Sequence, residues 1–215
     1  MRVFSLILSG ALLFFAGCTD EYIDTKETVV VLKRKVLVEQ VEAERSAQQE
    51  AKTQFTSALA QFLAVAKSPS ANLQTTYEKL NSEFKNCEAR AKEVRDGISA
   101  IDTVAQALFA EWNLELTQYT NPTLRTQSER QLTAMKSRYV NLMGVMEQAA
   151  TRMNPVIGAF RDQVLFLKHN LNAQAVSAIS STTQDLQQDI SRLIVDIEKS
   201  IKESDAFIAS MQTMQ

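Results

Sequence analysis

LQTTYEKLNSEFKNCEARAKEVRDGISAIDTVAQALFAEW, residues 73–112, decides the fold. Leu73, Tyr77, Leu80, Phe84, Cys87, Ala91, Val94, Ile98, Ile101, Ala105, Leu108 and Trp112 recur at alternating steps of four and three. That spacing keeps one apolar stripe on one face of an α-helix for more than five heptads, and no strand reads this way. The stripe predicts a helix over about 72–119.

The same period appears on both sides. Upstream, Leu37, Val41, Ala51, Phe55, Ala58, Phe62 and Val65 share a stripe in which Glu44 and Gln48 are polar interruptions, which predicts a helix over about 28–67. The segment Ser68-Pro69-Ser70-Ala71-Asn72 supplies breakers and a cap between the two. Downstream, Asn121 can cap and Pro122 can open a helix over 122–169, where its missing N–H costs little. Leu132, Met135, Tyr139, Leu142, Met146, Ala149, Met153, Val156, Phe160, Val164 and Leu167 form its stripe. That stripe runs straight through Pro155, so a kink is expected there and not an end.

A last stripe, Val176, Ile179, Thr183, Leu186, Ile190, Leu193, Ile197, Ile201, Ile208 and Met211, predicts a helix over 173–213. No Gly or Pro separates it from the third helix, only Asn170 and Asn172, which tolerate turns. A continuous helix is the rival reading. A turn is preferred because it gives four helices of similar length. The expected fold is all-α: a single domain over 28–215 of four long antiparallel helices in an elongated up-down-up-down bundle. Heptads also fit extended paired hairpins.

Composition agrees with long helices. The 215 residues contain five Gly and three Pro, and the formal charge of −2 gives no basic bias toward nucleic acid. Residues 1–17 read as a signal peptide: Arg2, then about 15 apolar residues, too few for the roughly 20 of a spanning helix. Phe15-Ala16-Gly17-Cys18 resembles a bacterial lipobox, with Phe where Leu is usual. The resemblance implies lipid attachment to Cys18 and a membrane partner through that lipid, with 18–27 as a tether. Thr19, standing where Asp would retain the protein at the inner membrane, favours the outer membrane of a bacterial envelope and a periplasmic body. With Cys18 lipidated, Cys87 has no disulfide partner in the chain.

His169 is the only histidine and has no Glu three residues before it, so neither a zinc set nor a di-iron motif can be assembled. No phosphate loop, dinucleotide fingerprint or nucleophile elbow is present. Glu111 with Glu115, and Asp185 with Asp189, read as solvated helix faces. Cys87, Trp112 and the Met135–Met146–Met153 group fall on stripes and read as core, with an adaptable partner groove as the alternative for the methionines. No cofactor, no metal and no enzymatic activity are expected.

LVEQVEAERSAQQEAKTQF (37–55), ALFAEW (107–112), LRTQSERQL (124–132) and FRDQVLFLKHNLNAQAV (160–176) resemble a family of bacterial envelope proteins of unknown function whose members often carry lipoprotein signals. The resemblance covers about 33–210 and is most specific in its last segment, where Phe166 stands in place of Tyr. It implies no activity, and it directs attention to 160–176.

In the expected bundle, the loops at 68–72 and 169–172 lie at the tip far from the anchor, and 120–123 and the C-terminus lie near it. Lys33-Arg34-Lys35 falls at the anchor end, as a solvated helix turn or as a contact with anionic headgroups. The first functional expectation is a lipid-anchored periplasmic scaffold or adaptor. It would bind an envelope protein or cell-wall partner through Lys168, His169, Asn170 and Asn172, with Arg161 and Asp162 on the approach, since rigid scaffolds often display binding residues on loops. The second is a self-assembling or membrane-remodelling coiled coil whose partner is its own copy or a bilayer.

Overall fold

The computed structural model describes residues 20–67, 72–170 and 173–213, with side-chain surroundings for 32–67, 72–170 and 182–213. Four helices make up the fold: α1 (Asp20–Lys67), α2 (Leu73–Leu116), α3 (Pro122–His169) and α4 (Ala173–Gln212). They contain 48, 44, 48 and 40 residues, and at 1.5 Å per residue each spans roughly 60–70 Å. α1 packs on α2, α2 on α3, α3 on α4, and α4 closes the ring on α1. The all-α up-down-up-down bundle follows, and it is a closed bundle, not a pair of separate hairpins. The signal segment, Cys18, the turn at 68–71 and Asn172 lie outside the described residues.

Local chemistry sets the ends. Asn72 caps α2, its side chain accepting from Thr75 N at 3.1 Å. Asn121 caps α3, accepting from Thr123 N at 2.9 Å and Leu124 N at 3.3 Å, with Pro122 in the first turn. α2 stops at Leu116, three residues before the expected 119, because Thr117 folds back: its N–H and its hydroxyl both donate to Leu114 O, at 3.1 and 2.7 Å. α1 begins at Asp20, so most of the stretch expected as a tether is helical. Nothing between 20 and 67 is Gly or Pro to stop a helix there. α3 continues through Pro155. The chain does reverse between His169 and Ala173, so the continuous-helix alternative is excluded.

The stripes become the core. On α2 the predicted positions from Leu80 to Trp112 are buried, while Tyr77 is only partly so and Thr76 takes the inner place. All eleven predicted positions on α3 are buried, the three methionines among them. Across the bundle centre, Phe160 of α3 stacks on Phe62 and Phe55 of α1, with ring centroids 4.7 and 6.5 Å apart. On α4 the buried sequence is Ile197, Ser200, Ser204, Phe207, Met211, whereas Ile201 and Ile208 are partly buried neighbours. Two serines therefore hold positions that an apolar-only reading passes over.

Ion pairs mark the register. Arg45–Asp205 and Lys52–Glu198, both 2.6 Å, align α1 with α4, and Arg90–Glu50, also 2.6 Å, aligns α2 with α1. Exposed pairs of this kind contribute only about 0–1 kcal/mol each, so burial of the stripes carries the stability.

Candidate functional site

The last turns of α3 present two outward columns. Arg161, Leu165 and Lys168 follow one another at i, i+4, i+7, and Asp162, Phe166 and His169 do the same beside them. All six are exposed, while Gln163, Val164 and Leu167 on the opposite face are buried. The expected site residues Arg161, Asp162, Lys168 and His169 thus share one surface. Between them, Leu165 (46% exposed) and Phe166 (44% exposed) add an apolar pair that the reading of the tip did not include. The available signal was that both lie off the 160–164–167 stripe, so a helix packed on that stripe must leave them outside.

Asn170 has another task. Its backbone N–H donates to Leu167 O at 3.3 Å and its side-chain amide donates to Phe166 O at 3.0 Å. It terminates α3 by satisfying carbonyls at the helix end, which leaves its side chain committed to the turn. Lys168 and His169 sit in that last turn, where cationic groups complement the negative helix end. Behind the face, Gln163 Nε2 donates to Thr182 Oγ1 at 3.2 Å and ties α3 to α4 near the tip. An apolar pair ringed by two cations and a carboxylate is the composition of a small protein-contact surface.

The other singled-out residues are built into the scaffold. Lys33 pairs with Glu111, Arg34 lies over the Trp112 ring at 4.4 Å, and Lys35 pairs with Glu39 at 3.8 Å. Burial lowers the pKa of Arg34, opposed by Glu115 and Tyr119. Lys33 and Arg34 are therefore turned onto α2 and do not form a free basic patch. Trp112 Nε1 donates to Ser128 Oγ at 2.8 Å inside the core. Cys87 is fully buried, and desolvation pushes its thiol up to about 12, so it is protonated and unreactive in the folded protein. Asp189 is 3.5 Å from Arg192, and Asp185 is exposed. Among the described residues no three His, Cys, Asp or Glu side chains gather as a metal site. Among them, too, no helix is long and apolar enough to cross a membrane.

One polar group is far from both ends. Glu44, 1% exposed, lies within the α1 stripe with Gln48. Burial raises its carboxyl to about 8, and the hydrogen bond from Gln48 Nε2 at 2.9 Å opposes that only in part.

No curated protein and no solved structure matches the chain. Residues 22–211 match the model of a family described as "Protein of unknown function (DUF2959)", a span that takes in all four helices nearly end to end, and the chain belongs to that family.

Proposed function

We propose that the protein is a lipid-anchored periplasmic scaffold that holds an envelope partner, protein or cell wall, at the end of its bundle away from the anchor. The observation that carries this reading is the exposed Leu165–Phe166 pair, framed by Arg161, Asp162, Lys168 and His169 at the end of a rigid helix. Support for the anchor is in the sequence, in the small residues before Cys18. α1 begins two residues after that cysteine, which places the α3–α4 turn about 60–70 Å away along the bundle. Rigidity suits the task, because a site on an element end held by four packed helices loses little entropy on binding.

A photoreactive residue at position 166 of the full chain, expressed in cells, should give a discrete adduct. The same residue at Gln188, exposed on α4 back from the tip, should not. Identical adduct patterns from both positions, or none from 166, would refute the tip reading. The anchor has its own test: Cys18→Ala should move the protein from the membrane fraction to the soluble one, and a variant that stays with the membrane would contradict lipid attachment at that residue.

The second reading, a protein that works on bilayers or on its own copies, draws on the opposite end. Leu114, Tyr119 and Leu124 are exposed there at 66%, 41% and 51%. Self-adducts from both photoreactive positions would favour it.

A further inference from the structure

A polar layer crosses the bundle at mid-height. Between the register-marking pairs Arg45–Asp205 and Lys52–Glu198, α1 buries Gln48 and α4 buries Ser200 and Ser204. Glu44 lies one residue outside the first pair. Gln48, Ser200 and Ser204 are each 0% exposed. Gln48 Nε2 donates to Glu44 Oε1, and Ser204 Oγ donates to Ser200 O within its own helix. Glu44 Oε2, Gln48 Oε1 and Ser200 Oγ have no hydrogen-bond partner. Three orphaned buried oxygens in one layer are costly in an interior that otherwise packs Leu, Ile, Phe and Met.

α2 is shaped around this carboxyl. Gly97 sits in mid-helix, where Gly is less favourable than Ala. A Cβ at position 97 would overlap Glu44 Oε2 and lie 3.1 Å from its Cδ. The glycine therefore admits the Glu44 head group against the α2 backbone.

Among the described residues no cation is placed to neutralise it. On α1 and α2 the nearby charges are spent outward: Arg45 on Asp205 of α4, Arg90 on Glu50, Lys92 on Asp96, and Arg95 toward Asn154 of α3. α4 carries Lys202 on its exposed side and a half-buried Glu203. The buried faces of α2 (Ala91, Val94, Ile98) and α3 (Leu142, Met146, Ala149) are apolar at this level.

We infer that this layer is a proton-operated latch: the helices close around Glu44 when it carries a proton, and the α1–α4 seam loosens at mid-height when it is ionised. An ionised carboxylate here has one amide for a partner and must draw in water. The α4 side admits it most easily, since Ser200 and Ser204 are small and hydroxylated, whereas α2 closes against Glu44 with backbone. The direction of the carboxyl's titration, raised by burial, is consistent with this geometry.

Amide hydrogen exchange on the full chain, corrected for the intrinsic pH dependence, tests it. Between pH 6 and pH 9, protection in 41–51 and 197–207 should fall at least roughly tenfold further than in 101–108 and 132–139 on the α2–α3 seam, which lose only what the whole fold loses. Glu44→Gln should remove the difference. Protection that is independent of pH, that falls alike in all four helices, or that falls in the Gln variant as in the wild type would overturn the latch. Should the variant not fold, a carboxyl-carbon titration of wild-type Glu44 decides: a midpoint near 8 supports the latch, and one near the ordinary 4.5 overturns it.

Discussion

Phe160→Ala should destabilise the bundle by about 3–5 kcal/mol, a large share of the roughly 5–15 kcal/mol that holds a typical domain folded. Phe160 is fully buried and lies nearly parallel to both Phe62 and Phe55, with interplanar angles of 19° and 17°. Because those partners come from α1, diagonally across the bundle, the ring fills the centre and not a seam between neighbours. Truncation leaves a void that no adjacent helix can close without moving the others, so the cavity adds to the lost burial. Phe160→Leu, which keeps part of the volume, should cost about 1–2 kcal/mol. Val140→Ala, at a position 67% exposed, should stay within about 0.5 kcal/mol and serves as the control. Denaturant unfolding followed by far-ultraviolet circular dichroism gives all three as shifts in midpoint at unchanged slope. A loss below about 1 kcal/mol for Phe160→Ala would mean that the aromatic stack is not central to the core.

The stripes were legible because helical burial repeats at 3.5–3.6 residues and a long helix repeats it many times over. Ile98, Leu108, Leu142 and Ile190 occupy the inner face simply by being in phase. What periodicity reports, however, is a position, and a polar residue in phase is ambiguous. Ser128, Ser200 and Ser204 are in phase and buried, yet a search for apolar letters finds Ile201 and Ile208 instead, which are only partly buried. Glu44 and Gln48 were recognisable as interruptions of a stripe, but that α2 makes room for them at Gly97 depends on the register of two helices about 50 residues apart.

The tip was legible in part for the same reason. Phase alone puts Arg161, Asp162, Lys168 and His169 outside. Asn170 read as a displayed amide, while the structure uses it to close the helix, a role set by backbone geometry at the turn. Substituting Asn170 to test the tip would therefore mix binding with capping, and Leu165→Ser with Phe166→Ser is the cleaner pair because both side chains are about half exposed.

Raising the pH from 5 to 9 should weaken the protein, by about 4 kcal/mol if Glu44 acts alone, and Glu44→Gln should abolish most of that loss. The folded carboxyl titrates near 8 and the unfolded one near 4.5. Between those values the folded chain keeps a proton that the unfolded chain releases, so stability falls by about 1.4 kcal/mol for each pH unit through the window. Below 4.5 both states are protonated and the contribution is fully present; above 8 both are ionised and it has been lost. A paired surface carboxylate behaves the opposite way, gaining stability as the pH rises from acid, so the slope between 5 and 8 separates the buried group from the exposed pairs. Gln at position 44 keeps an oxygen to accept from Gln48 and carries no charge at any of these pH values. Its midpoint of denaturation should therefore be nearly level from 5 to 9 and should exceed that of the wild type at the alkaline end. A wild-type midpoint that is flat or rises from 5 to 8 would show that Glu44 is solvated or paired in the folded protein. The core would then owe its mid-height polarity to something other than a buried neutral acid.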